Sequence, residues 1–147
     1  MNKNLISLAA ALCLGFTASA FAADNNAGMS KDQYKAEKDK IEAQYKADKK
    51  ACDPMKDNAK DICKAEAKGK EKVAKAELEA QYKPGPKADE KVVKAKSDAA
   101  YDVAKEKCED MKGAQQHECK QQAKAEHDKG KAQAKAVKSN EEAQKKS

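Results

Sequence analysis

From residue 30 onward the larger apolar side chains are few and regularly spaced. Tyr34, Ile41, Tyr45, Cys52 and Met55 follow one another by three, four or seven positions, and Tyr101, Ala104, Cys108 and Met111 do the same further along. Such steps keep to one face of an α-helix. The positions between them are mostly lysine, alanine, glutamate and glutamine, all strong helix formers. Acid–lysine pairs at helical spacing, such as Glu42 and Lys46, add to this. Ser30 stands where a first helix needs its N-cap. No alternating strand pattern and no glycine-rich phosphate loop interrupts the reading. The chain is predicted to be all-α, and the stripe is a packing seam between helices.

The pattern occurs twice. Shifting the chain by 56 residues places Tyr45 on Tyr101, Cys52 on Cys108, Met55 on Met111, Lys56 on Lys112, Cys63 on Cys119 and Ala67-Lys68 on Ala123-Lys124. This internal duplication predicts two helical repeats, 30–83 and 87–139. Between them Pro84-Gly85-Pro86 is the strongest helix breaker in the chain, and it reads as a hinge. Segments 23–29 and 140–147 read as flexible ends.

The cysteines constrain how each repeat folds. In one straight helix Cys52 and Cys63 would share a face but stand about 16 Å apart, whereas a disulfide needs its Cα atoms within about 7 Å. Either each repeat turns back on itself, pairing Cys52 with Cys63 and Cys108 with Cys119, or a single long hairpin folds at Pro84-Gly85-Pro86 and pairs Cys52 with Cys119 and Cys63 with Cys108. Local pairing is favoured by turn residues midway between the cysteines. Gly113 suits the end of a helix, and Asn58 suits an N-cap or a left-handed turn. Pro54 also opposes an unbroken helix there. A bridge closing so short a loop contributes about 2–3 kcal/mol.

Such staples fit the compartment that the N-terminus predicts. Lys3, the apolar run Leu5 to Phe16 and the small-x-small triplet Ala20-Phe21-Ala22 form a secretory signal peptide over 1–22, cleaved between Ala22 and Ala23. The run is too short to cross about 30 Å of hydrocarbon. Cys13 leaves with it, and Leu12 before it is too large for a lipidation site. The four remaining cysteines then belong to an exported, periplasmic protein in a disulfide-forming environment.

Composition narrows the function classes. There is no tryptophan, and both phenylalanines lie in the signal peptide, so the mature chain has little with which to build a thick core. The net charge of +6 comes from 31 basic residues, all lysine, against 25 acids interleaved among them. Lysine lacks the forked contacts by which arginine reads phosphates and bases, so a dedicated nucleic-acid binder is not expected. Weak attraction to anionic envelope surfaces is compatible with the balance. Cys108, His117 and Cys119 group soft and borderline metal ligands, but no Cys-x-x-Cys pair of the zinc or redox type is present, and no cofactor is implied. His127 sits in a polar stretch and reads as solvated. No catalytic constellation stands out, and the chain is not expected to be an enzyme.

The segments "CDPMKDNAKDICKAEAKGKEKVAKAELEAQYKP" and "AAYDVAKEKCEDMK" resemble a group of small exported proteobacterial proteins that are often labelled TolA-like. That label reflects the lysine–alanine–glutamate helix of the envelope protein TolA. The paired cysteines also resemble, by analogy, the PsiF repeat, in which cysteines flank a helical turn. Export, extreme hydrophilicity, stapled helices and the lack of a catalytic constellation lead to the expectation of a non-enzymatic helical protein of the periplasm, concerned with envelope maintenance or stress tolerance. Three other roles fit the residues: a binder of anionic envelope surfaces, a thiol-based metal or oxidant buffer, and a desiccation protectant that resembles late-embryogenesis-abundant proteins.

Overall fold

A computed structural model of the chain describes residues 28–144. The expected signal peptide over 1–22, its expected cleavage between Ala22 and Ala23, Cys13 and most of segment 23–29 lie outside the described residues. The fold is all-α. Among the described residues four helices follow one another: α1 (Lys31–Ala51), α2 (Asp57–Tyr82), α3 (Pro86–Glu109) and α4 (Gly113–Gln144).

Local chemistry explains where each helix begins. Ser30 caps α1 as expected: its hydroxyl accepts from the Gln33 backbone, and the Gln33 side chain accepts from the Ser30 N–H. This reciprocal box satisfies two donors that a helix start otherwise leaves open. Between α2 and α3 the chain reverses at Pro84-Gly85-Pro86. Gly85 has φ +148°, which favours glycine, and Pro86 takes the first position of α3. The expected hinge is therefore a tight turn, and α2 packs along α3.

The two repeats are hairpins that turn at equivalent places. Gly113 has φ +59° and Asp57, its counterpart, has φ +49°. The left-handed residue of the first turn is thus Asp57, and the N-cap is Lys56. Asn58, expected as cap or turn residue, does another job. Its side-chain amide donates to the Glu106 carbonyl at 2.7 Å, tying the start of α2 to the last turns of α3. Asn58→Ala will lower stability by about 1 kcal/mol with both disulfides intact, as thermal unfolding followed by circular dichroism will show.

Each hairpin is closed by its own disulfide. Cys52–Cys63 and Cys108–Cys119 both have a Cα separation of 5.7 Å. Cys52 and Cys108 are wholly buried, whereas Met55 and Met111, expected on the same seam, are 43% and 42% exposed. The stripe leaves the interface where the helix ends, so each methionine projects from its turn.

Among the described residues, helix contacts run only between chain neighbours: α1 with α2, α2 with α3, α3 with α4. The helices form one antiparallel layer, with both stapled turns at one end and the Pro84-Gly85-Pro86 turn at the other. A layer buries little. The buried residues are Cys52, Ala67, Leu78, Ala88, Ala95, Cys108 and Ala134, with Gly69, and none lies on α1. Small residues let the helices approach closely in place of large ones that interlock. α4 continues to Gln144, past the repeat boundary expected at 139.

Candidate functional site

The richest group of functional side chains lies where α3 crosses α4. On α3, Ser97, Asp98 and Tyr101 fall on adjoining faces of one helical turn. On α4, Gly130 follows His127 by three residues and lies beside Ser97, in a gap with no room for a Cβ. That close approach presses His127 onto α3. Its ring stacks on Tyr101 with centroids 4.5 Å apart and planes 3° from parallel. Its Nε2 lies 2.6 Å from Asp98 Oδ1. The side chain is only 15% exposed, so the solvated state expected for His127 is not the one observed. An open groove of about 730 Å³ runs beside it, floored by Tyr101, Ala104, Ala123 and Gly130.

Asp98 also faces α2, where Lys72 Nζ lies 3.7 Å from its carboxylate and 3.9 Å from that of Asp102. One carboxylate thus links three helices. Partial burial raises the Asp98 pKa, but the His127 hydrogen bond and the charges of Lys72, His127 and Lys94 outweigh it, and the net shift is downward. A carboxylate whose pKa is lower in the folded chain stabilises fully above the unfolded value, near 4, and loses that contribution as pH falls through the folded one. Asp98→Asn will therefore cost about 1 kcal/mol at neutral pH and make urea stability less dependent on pH below about 4. An unchanged acid limb would contradict this role.

Ser97, Asp98 and His127 are the residue types of a hydrolase triad, brought together across 30 residues of sequence. Their geometry serves another purpose. The Ser97 hydroxyl donates to the His127 backbone carbonyl at 3.2 Å. Nucleophile activation requires a bond from the serine to the ring. The three residues also lie within helices, where backbone N–H groups are engaged in helical hydrogen bonds and form no oxyanion hole. The group is a polar lock between helices.

The first repeat has a lock of different composition at equivalent positions. Lys75 bridges Glu42 of α1 at 3.2 Å and Glu71 of its own helix at 2.7 Å. Glu42 and Glu71 correspond to Asp98 and His127 under the 56-residue shift. Lys75 lowers the Glu42 pKa, and Glu71 contributes most to raising that of Lys75. Tyr34 stacks on Tyr82 at 4.5 Å and closes the far end of this hairpin.

The ligand set offered by Cys108, His117 and Cys119 is not assembled. Both cysteines are spent in one disulfide, and the exposed His117 ring lies 2.8 Å from the Gln121 amide. Among the described residues no group of three or more histidine, cysteine, aspartate or glutamate side chains is placed to hold a metal. No described helix is long and apolar enough to cross a membrane. No protein family, curated protein or solved structure matches the chain.

Proposed function

We propose that the chain is a non-enzymatic, exported helical protein with a structural or protective role in the bacterial cell envelope, working in the periplasm. The observation that carries this reading is the pairing of Cys52–Cys63 and Cys108–Cys119 in a fold with almost no core. A one-layer fold that depends on two disulfides suits an oxidising compartment and is poorly suited to a reducing one. The polar locks support a scaffold more than a reaction centre. The thiol-buffer reading has less support, because it needs free thiolates. The desiccation-protectant reading needs helices that form on drying, and it accounts for neither the staples nor the interhelical locks.

The test combines location with need. A tagged chain will be released by osmotic shock, and cells lacking the gene will grow less well under osmotic, detergent or oxidant challenge. Retention in the cytoplasm, or full fitness under every challenge, would overturn the reading.

A second reading, attachment to anionic envelope surfaces, is favoured by the charge of α1. This helix, at one edge of the layer, carries Lys31, Lys35, Lys38, Lys40, Lys46, Lys49 and Lys50 against Asp32, Glu37, Asp39, Glu42 and Asp48. Co-sedimentation with anionic vesicles at low salt, where screening is weakest, is its test.

A further inference from the structure

Met55 and Met111 are the exposed large hydrophobic residues of the described chain, at 43% and 42%. They hold equivalent places in the two repeats, each followed by lysine, although the flanking residues differ: Pro54 and Asp57 in one turn, Asp110 and Gly113 in the other. In each case the methionine N–H donates to the carbonyl of the buried cysteine three residues earlier, at 3.1 Å. The backbone thus presents both side chains to water in the same way, and neither is needed to fill a seam. Met29 is the contrast: it is half-buried and lines a groove with Ile41 and Leu78. The four described cysteines are all disulfide-bonded, so the thioethers are the reduced sulfur of the described chain.

We propose that Met55 and Met111 form a paired oxidation site that consumes hypohalous acid without loss of the fold. The thioether sulfur attacks the chlorine of hypochlorous acid, giving a chlorosulfonium ion and hydroxide. Water then adds to the sulfur, chloride leaves and two protons are lost. The sulfur is oxidised by two electrons, the chlorine is reduced to chloride, and the product is methionine sulfoxide. A sulfoxide is polar and disrupts packed interiors, but at these two turns it stands in water. Thiol-dependent sulfoxide reductases can reverse it. This inference deepens the protective reading and rests on it only for where the oxidant is met. The chemistry is read on purified protein, so its failure would leave the stapled fold and its location untouched.

The experiment titrates the disulfide-intact mature protein with hypochlorous acid and follows each peptide by mass spectrometry, with a thermal melt at each step. The first equivalents, about two per chain, will place one oxygen on each of Met55 and Met111. Met29, the tyrosines and the lysines will react later, and the melting temperature will not change. In the Met55→Leu/Met111→Leu protein the same dose will fall on Met29 and on lysine chloramines. Sulfoxide at Met29 in step with the other two, lysine chloramines formed first, or a melting temperature that falls as Met55 and Met111 oxidise would each overturn the proposal.

Discussion

In the Cys52→Ala/Cys63→Ala protein, α1 will lose its hydrogen-exchange protection while α3 and α4 keep theirs. The cause is the position of α1 in the layer. Among the described helices it touches only α2, and it contributes no buried residue of its own. Besides Cys52 at its C-terminal boundary, it is held by half-buried seam residues such as Ile41 and Tyr45, by the stack of Tyr34 on Tyr82 and by the exposed pair of Glu42 with Lys75. An ion pair this open to water contributes little, whereas closing a loop as short as this contributes about 3 kcal/mol. The staple therefore contributes far more to holding α1 in place than the ion pair does. The Cys108→Ala/Cys119→Ala protein will lose a similar amount in urea unfolding, but α4 will stay docked. It keeps the His127–Asp98 contact, the Ser97–His127 bond and the ion pair of Lys138 with Glu90. Equal protection of α1 with and without its staple would contradict this ranking.

Gly130→Ala will destabilise by roughly 1–3 kcal/mol, the usual cost of overfilling a packed contact. Alanine is the better helix former by about 1 kcal/mol, so on propensity alone the change would stabilise. The contact decides the sign. A Cβ at 130 would overlap both the Cβ and the hydroxyl oxygen of Ser97, so rotating the hydroxyl away is not enough. α4 must move off α3, which lengthens the Ser97 bond to the His127 carbonyl and parts His127 from Asp98. Ser97→Gly in the same chain will restore most of the loss, and the four proteins of that double-mutant cycle will show a coupling above about 0.5 kcal/mol. Gly69 is in a milder position, where a new Cβ would stand 2.9 Å from that of Ala99. Additive effects of the Gly130 and Ser97 changes would show that the two helices do not meet there.

What was legible in the sequence is mostly what local rules decide. The duplication, the Ser30 cap, the breakers Pro84-Gly85-Pro86 and the turn at Gly113 each depend on a few neighbouring residues. They led to two stapled hairpins and to the local disulfide pairing that the structure has. What was not legible depends on contacts between helices made through small residues. His127 reads as solvated because its surroundings in sequence are polar, yet Gly130 brings it down onto Tyr101 and Asp98. Ser97, Asp98 and His127 carry no spacing signal, since their meeting is set by the turn length and by the register of α4 on α3. Asn58 has the composition of a cap, but its amide reaches Glu106 across the layer. Met55 and Met111 fit the helical stripe and lie just beyond the point where each helix stops.

The most direct test of a fold held by its own local staples is a disulfide map. Protein is taken from cells after rapid thiol trapping and digested without reduction by a lysine-directed protease. Lys56 and Lys60 separate Cys52 from Cys63, and Lys112 separates Cys108 from Cys119, so each pairing yields a distinct linked peptide. Linked peptides containing Cys52 with Cys63 and Cys108 with Cys119, and no trapped thiols, are the predicted result. Cross-linked repeats, or four alkylated cysteines, would contradict it.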